Sequence, residues 1–271
     1  MSFFDRVELE SWLAGIPSPV KASKSYPKPP DASSSVRILR LQGGAKAFAK
    51  VNSGTHPFLC INEWTASCLA LLSGFDALPV SQIRWEGRLS VGWPLLNPWE
   101  RVLGEVSLAH PGYQGCGNAG RLPYQAAALD AWLVNPDRSA SNVLVKLGTS
   151  AYLIDHDRAC FDRAQYRGPD ELRELTEDPE DGWVPGGTAW TVDEASWRHG
   201  VRSVQPLERA IDQCRAVPRQ DIEKVIAMAP EEWASDEHRA YLVEFVLRRQ
   251  DHLRAIMQRW KQTFDELGQW Q

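Results

Sequence analysis

The stretch Leu129-Asp130-Ala131-Trp132-Leu133-Val134-Asn135-Pro136-Asp137-Arg138-Ser139-Ala140-Ser141-Asn142-Val143-Leu144-Val145, followed by Tyr152-Leu153-Ile154-Asp155-His156-Asp157, decides how this chain is read. Its apolar spacing predicts a helix over 124–134, and the Asn135-Pro136 step predicts a polar loop after it. The loop carries Asp137 and, five positions on, Asn142. Short strands over 143–145 and 151–154 then form a hairpin ending on Asp155, thirteen positions beyond Asn142. Phosphoryl transfer needs such a set, because the protein does little covalent chemistry and must orient a hydroxyl and hold Mg²⁺ against phosphates. A carboxylate beside the hydroxyl accepts its proton, while an amide oxygen and a second carboxylate are hard oxygen ligands for the metal. Asp137 is therefore the expected base, and Asn142 and Asp155 are the expected metal ligands. Taken singly, each is equally at home in a turn or at a strand end. The ordered set carries the functional reading.

An ATP site also needs a cation on the α- and β-phosphates and an acid to position it. Upstream, strands are predicted over 36–41 and 47–51 with a Gly43-Gly44 turn between them, and a helix over 59–72 stops at Gly74. Lys50 lies on the second strand and Glu63 near the start of the helix, the order expected of a nucleotide-binding ion pair. Alone, they read as an edge-strand lysine and a favourable first-turn charge. Lys46 competes for the same role but lies nearer the turn. Further strands over 80–85 and 89–95 complete a small sheet.

Beyond Pro98 the chain is mostly helical, with helices expected over 124–134, 170–175, 207–216 and 220–228, and one long or broken helix over 236–267. A β-rich front joined to an α-rich back predicts one α+β, bilobed, protein-kinase-like unit. Residues 36–97 form its N-lobe and 98–271 its C-lobe, divided near Trp93 to Trp99. Residues 1–35 read as a short amphipathic helix over 5–13 followed by a Pro/Ser-rich linker.

From about Val36 onward the chain resembles the HipA-like kinases, specifically short bacterial proteins that keep only the kinase domain. The residues carrying the resemblance are Asp130, Trp132 and Asn135 in the helix, Asp137, Arg138 and Asn142 in the loop, and Ile154-Asp155-His156 after it, with the segments 217–233 and 242–249 near the end. The resemblance implies an ATP- and Mg²⁺-dependent kinase, with a serine or threonine of a protein as first acceptor and a small-molecule or lipid hydroxyl as second. Arg138 then neutralises phosphate or braces the loop. Ser33, Ser34 and Ser35 become candidates for autophosphorylation and otherwise read as linker. Three features depart from the family pattern: Ser139 stands where related loops carry His, Asp157 where D-F-G kinases carry Gly, and Gly43-Gly44 make a thin glycine loop. Asp157 reads as a charged turn residue first and as an added metal ligand second. These departures keep open a pseudokinase that binds nucleotide as an interaction module. About 35 residues precede the kinase-like part, giving no ground for an antitoxin-like partner.

Of 271 residues, 30 are basic and 35 acidic, and the net charge of -5 argues against a phosphate-backbone binder. Cys60, Cys68, Cys116, Cys160 and Cys214 are odd in number and contain no C-x-x-C, so a reduced, cytoplasmic protein is expected. No stretch approaches the length of an apolar membrane span, and the acidic turn after Phe4 is unlike a secretory leader. Gly115-Cys116-Gly117-Asn118-Ala119-Gly120 matches G-x-G-x-x-G, but no buried strand precedes it, so it reads as a flexible inter-lobe loop. The 12 tryptophans outnumber 8 Phe and 6 Tyr, and each indole N–H wants a partner. Trp183, Trp190 and Trp197 are spaced by seven around Pro185-Gly186-Gly187, which excludes a heptad helix. They suggest a stapled loop or an acceptor-facing surface.

Overall fold

The computed structural model describes residues 19–26, 36–94, 101–102, 111–138, 142–146, 149–161, 169–179, 197–260 and 264. The front is a closed barrel of five strands: β1 (Val20–Tyr26), β2 (Val36–Leu41), β3 (Lys46–Lys50), β4 (Ser81–Trp85) and β5 (Arg88–Pro94), ordered β1-β2-β3-β5-β4. Gly43 and Gly44 turn β2 into β3 at φ of +98° and +93°, values a side chain would strain. Leu39, Ala47, Ala49 and Ile83 fill the barrel, as the period-two alternation of strands requires. At Gly92 on β5 the strands pass so closely that a Cβ would stand 2.5 Å from the Phe48 carbonyl oxygen.

β1 corrects the expectation of a linker before residue 36. It pairs antiparallel with β2 (Ser25 opposite Leu39) and parallel with β4 (Val20 opposite Ile83), and so closes the barrel. The expected helix over 5–13 and the serines at 33–35 lie outside the described residues.

Helix α1 (Leu59–Leu72) connects β3 to β4 and is buried on nearly all sides. The back comprises α2 (Pro111–Gln114), α3 (Leu122–Leu133), α4 (Pro169–Glu177), a 3₁₀ turn (Trp197–Gly200), α5 (Val204–Arg215), α6 (Arg219–Ala227) and α7 (Asp236–Trp260). A small sheet, β6 (Arg101–Val102), β7 (Val143–Lys146) and β8 (Ser150–Leu153), carries the hairpin read from sequence. One continuous core runs from α1 through these helices. Several indoles bolt elements together through their N–H groups: Trp64 to the Val225 carbonyl (2.9 Å), Trp132 to Val246 (2.9 Å) and Trp233 to Leu89 (3.2 Å). Arg249 on α7 donates to the carbonyls of Ala131 (2.6 Å) and Trp132 (2.9 Å), satisfying acceptors that the end of α3 leaves without helical donors.

The Gly115–Gly120 segment is a docked turn instead of a flexible loop. Asn118 pins it to β8, donating to the Ala151 carbonyl (2.6 Å) and accepting from the Ala151 N–H (2.8 Å). Trp183, Trp190 and Ser139 lie outside the described residues, as does the side chain of Trp197. All five cysteines are buried. Among the described residues no helix is long and apolar enough to cross a membrane.

Candidate active site

The site lies where β3, α1, the end of α3 and the residues after β8 meet. Lys50 is the last residue of β3, and β-sheet alternation turns it from the barrel surface into the protein, where it is buried. The Asn52 side chain accepts the N–H of Cys60 (2.8 Å), which fixes the start of α1 and sets Glu63 one turn along it. Lys50 Nζ donates to Glu63 Oε2 at 3.1 Å. The expected pair forms, and Lys46 lies outside the site with its ammonium over the Tyr26 ring.

Lys50 also bonds Asp155 Oδ1, and donates to Asp157 Oδ2 at 2.9 Å. Burial opposes its charge, but Asp155, Glu63 and Asp157 together hold its pKa well above the ordinary lysine value. The same burial pushes Glu63 up to about 7 against the pull of Lys50. Asp157 is raised by burial and by its neighbour Asp155, whereas at Asp155 burial is outweighed by Lys50 and the carboxyl is held below its usual range. Asp155 sits at φ +61°, a left-handed conformation that Asp tolerates better than most residues. Its side chain is 39% exposed, so one face of the carboxylate opens outward.

Asn142 links Asp137 and Asp155. Its Nδ2 donates to the Asp137 carbonyl (2.5 Å) and, at longer range, to the Asp155 carbonyl (3.4 Å). The Asp137 carboxylate is half exposed and pairs with Arg158 at 3.4 Å. The structure thus brings Lys50, Glu63, Asp155, Asn142 and Asp137 to one place.

Arg138 resolves to one of its two readings. It is completely buried, its Nε and Nη2 fork onto Asp130 (3.0 and 2.8 Å), and Nη1 donates to the carbonyls of Asn142 (3.3 Å) and Ile154 (3.1 Å). It braces the loop and does not reach out to a phosphate. His156 is likewise structural: it is buried, its backbone N–H donates to Glu63 Oε2 (3.0 Å), and its Nδ1 faces Arg138 Nη2 (3.0 Å). Burial and the charges of Arg138 and Lys50 push its pKa well below the ordinary imidazole value, keeping the ring neutral.

Reading the sequence undervalued four residues. Asp157 is in a turn, as expected, yet its carboxylate belongs to the Lys50 cluster. Asn62 clamps the following segment by donating to the carbonyls of Asp157 (2.8 Å) and Phe161 (2.5 Å) while accepting the Phe161 N–H (3.2 Å). Asp130 holds Arg138, and Asn135 bridges Asp130 Oδ1 (3.0 Å) and the Asp137 N–H (3.3 Å). Asp130 and Asn135 were marked by the resemblance and Asp157 as a departure from it, without a role for their side chains, and Asn62 was marked only as a polar residue inside a helical pattern.

Comparison with solved structures places the fold. The Helicobacter pylori proinflammatory kinase CtkA aligns over 88% of this chain and 96% of its own, at TM-score 0.59 and 11% identity. HipA from a Shewanella oneidensis toxin–antitoxin complex aligns over 88% and 68% at TM-score 0.45 and 14% identity, and the Golgi casein kinase over 98% and 77% at 0.43 and 12%. No family model and no curated protein matches the sequence. The likeness to CtkA shows a protein-kinase-like α+β fold for this chain.

Proposed function

We propose that this chain is an ATP- and Mg²⁺-dependent phosphotransferase acting on a hydroxyl group. The observation that carries the reading is the buried Lys50–Glu63 pair, joining β3 to α1 and set directly against Asp155. Lys50 binds the α- and β-phosphates, and Glu63, itself held by the His156 N–H, keeps the ammonium in place.

The residues fit a divalent cation. Three carboxylates surround one ammonium, which leaves an excess of negative charge at the site. Among the described residues no three His, Cys, Asp or Glu side chains form a metal cage, so the donor set is one amide and one carboxylate, which suits an ion that takes its other ligands from phosphates and water. The amide oxygen of Asn142 and a carboxylate oxygen of Asp155 would hold Mg²⁺, which when bound neutralises charge on the phosphates.

Asp137 orients the acceptor hydroxyl and takes its proton as the oxygen attacks the γ-phosphorus and the bond to ADP breaks. Arg138 acts through the backbone by holding the Asn142 carbonyl beside that of Ile154, just past β8. A protein serine or threonine is the acceptor implied by the likeness to HipA-type kinases, and a small-molecule or lipid hydroxyl is the alternative. The test is incubation with γ-labelled ATP and Mg²⁺ beside Asp137→Asn, together with nucleotide-dependent melting of both proteins. The expected result is phosphoryl transfer lost in the variant while the melting shift persists; equal labelling of both overturns the mechanism.

A further inference from the structure

An ammonium has three N–H donors, and those of Lys50 face three carboxylates: Glu63 at 3.1 Å, Asp157 at 2.9 Å and Asp155. No donor remains for a phosphate, so binding one requires an acid to leave. Glu63 is fully buried and fixed from two other sides, by the His156 N–H at 3.0 Å and the Ser67 hydroxyl at 3.4 Å. Asp155 opens outward beside Asn142, where the proposed chemistry uses it. Asp157 differs from both. Its backbone is pinned by Asn62 (2.8 Å), while its carboxylate, 20% exposed, bonds Lys50 and the neighbouring Asp155.

Building on the phosphotransferase reading, we propose that Asp157 is a counter-ion latch: in the nucleotide-free protein it occupies the Lys50 donor that a nucleotide phosphate must take. Phosphate and carboxylate compete for one N–H, so affinity for ATP is the direct affinity of Lys50 reduced by release of the latch. Because the Asp157 peptide is held separately by Asn62, the side chain can swing away without moving the segment that carries Asp155. The latch discriminates by charge. It opposes ligands that bring phosphate to Lys50 and is indifferent to those that do not. Asp157 is therefore a positioning residue, acting on nucleotide through Lys50.

The experiment is calorimetric titration of the full chain and of Asp157→Asn with ATP and with adenosine, both in EDTA. Asp157→Asn is expected to tighten ATP binding about tenfold, the factor that 1.4 kcal/mol represents, and to leave adenosine binding unchanged. Asp157→Glu, which keeps the charge, is expected to bind ATP within about threefold of the parent. Unchanged or weakened ATP binding in a folded Asp157→Asn, or equal tightening for adenosine, overturns the latch. If Asp157→Asn fails to fold, Asp157→Ser is measured in its place against the same criteria. The underlying reading fails differently: parent protein that binds no ATP, or binds it equally after Lys50→Met, removes the nucleotide site itself.

Discussion

Replacing Arg138 by methionine keeps the side-chain volume and removes the charge, which tests whether the loop is braced from inside the protein. Arg138 is fully buried against Asp130, with the carbonyls of Asn142 and Ile154 on Nη1. The variant leaves the Asp130 carboxylate buried without its cation, and breaking a buried pair from one side costs about 3–5 kcal/mol. The two carbonyls that lose their donor favour the upper half of that range. At roughly 2–4 °C per kcal/mol for a chain of this size, Tm should fall by about 8–20 °C. The double variant Asp130→Leu, Arg138→Met removes both charges, and because apolar replacement of a buried pair is often near neutral, it should recover most of the loss. Reversible urea unfolding followed by tryptophan fluorescence, run as a double-mutant cycle, reads the coupling, expected at about 2 kcal/mol or more. A single variant within about 1 kcal/mol of the parent, or a double variant no better than the single, refutes the brace.

Two more predictions follow from the same geometry. Burial lifts Glu63 from the ordinary 4.5 to about 7, so between those values the folded chain holds a proton that the unfolded chain has released, and stability falls as pH rises through that window. Glu63→Gln lacks this slope, and its stability relative to the parent should improve from about pH 5 to about pH 7 by at most about 1.4 kcal/mol per pH unit; a constant difference in urea midpoints contradicts it. At Gly92 an added Cβ meets the Phe48 carbonyl and the Ile83 tip, both at 2.5 Å, and the carbonyl can yield only if β3 moves. Gly92→Ala should therefore lose about 1–3 kcal/mol and weaken ATP binding through displacement of Lys50; an unchanged melt rules this out.

The sequence was most legible where local periodicity and tertiary role agree. β2, α1 and the β7–β8 hairpin lie within a residue or two of their expected limits, because their apolar spacing is also the pattern that the core demands. β1 was hidden for the opposite reason. Val20–Tyr26 has two lysines and two serines, and prolines stand at 17, 19 and 27, so its composition is that of a linker. Its strand character comes from β2 and β4 on either side, a pairing that no local window contains. The site followed the same division. Lys50, Glu63 and Asp155 were legible because their chemistry dictates residue type and order. The role of Arg138 depended on Asp130 lying opposite it, and that of Asp157 on Lys50, more than a hundred positions earlier.

The adjacent residues Asn62 and Glu63 show how the two halves of the site are kept in register. Glu63 takes Lys50 from β3 and the His156 N–H from the segment after β8, while Asn62 takes the carbonyls of Asp157 and Phe161 from that same segment. Successive helix positions point about 100° apart, so a single turn of α1 grips the strand lysine and the acidic segment from two directions. A displacement of α1 therefore acts on Lys50 and on the 155–161 backbone through the same helical turn. The acidic side chains open to solvent beside these contacts are Asp155 and Asp157. Opening of the proposed nucleotide site is thus a rearrangement of charge around one ammonium.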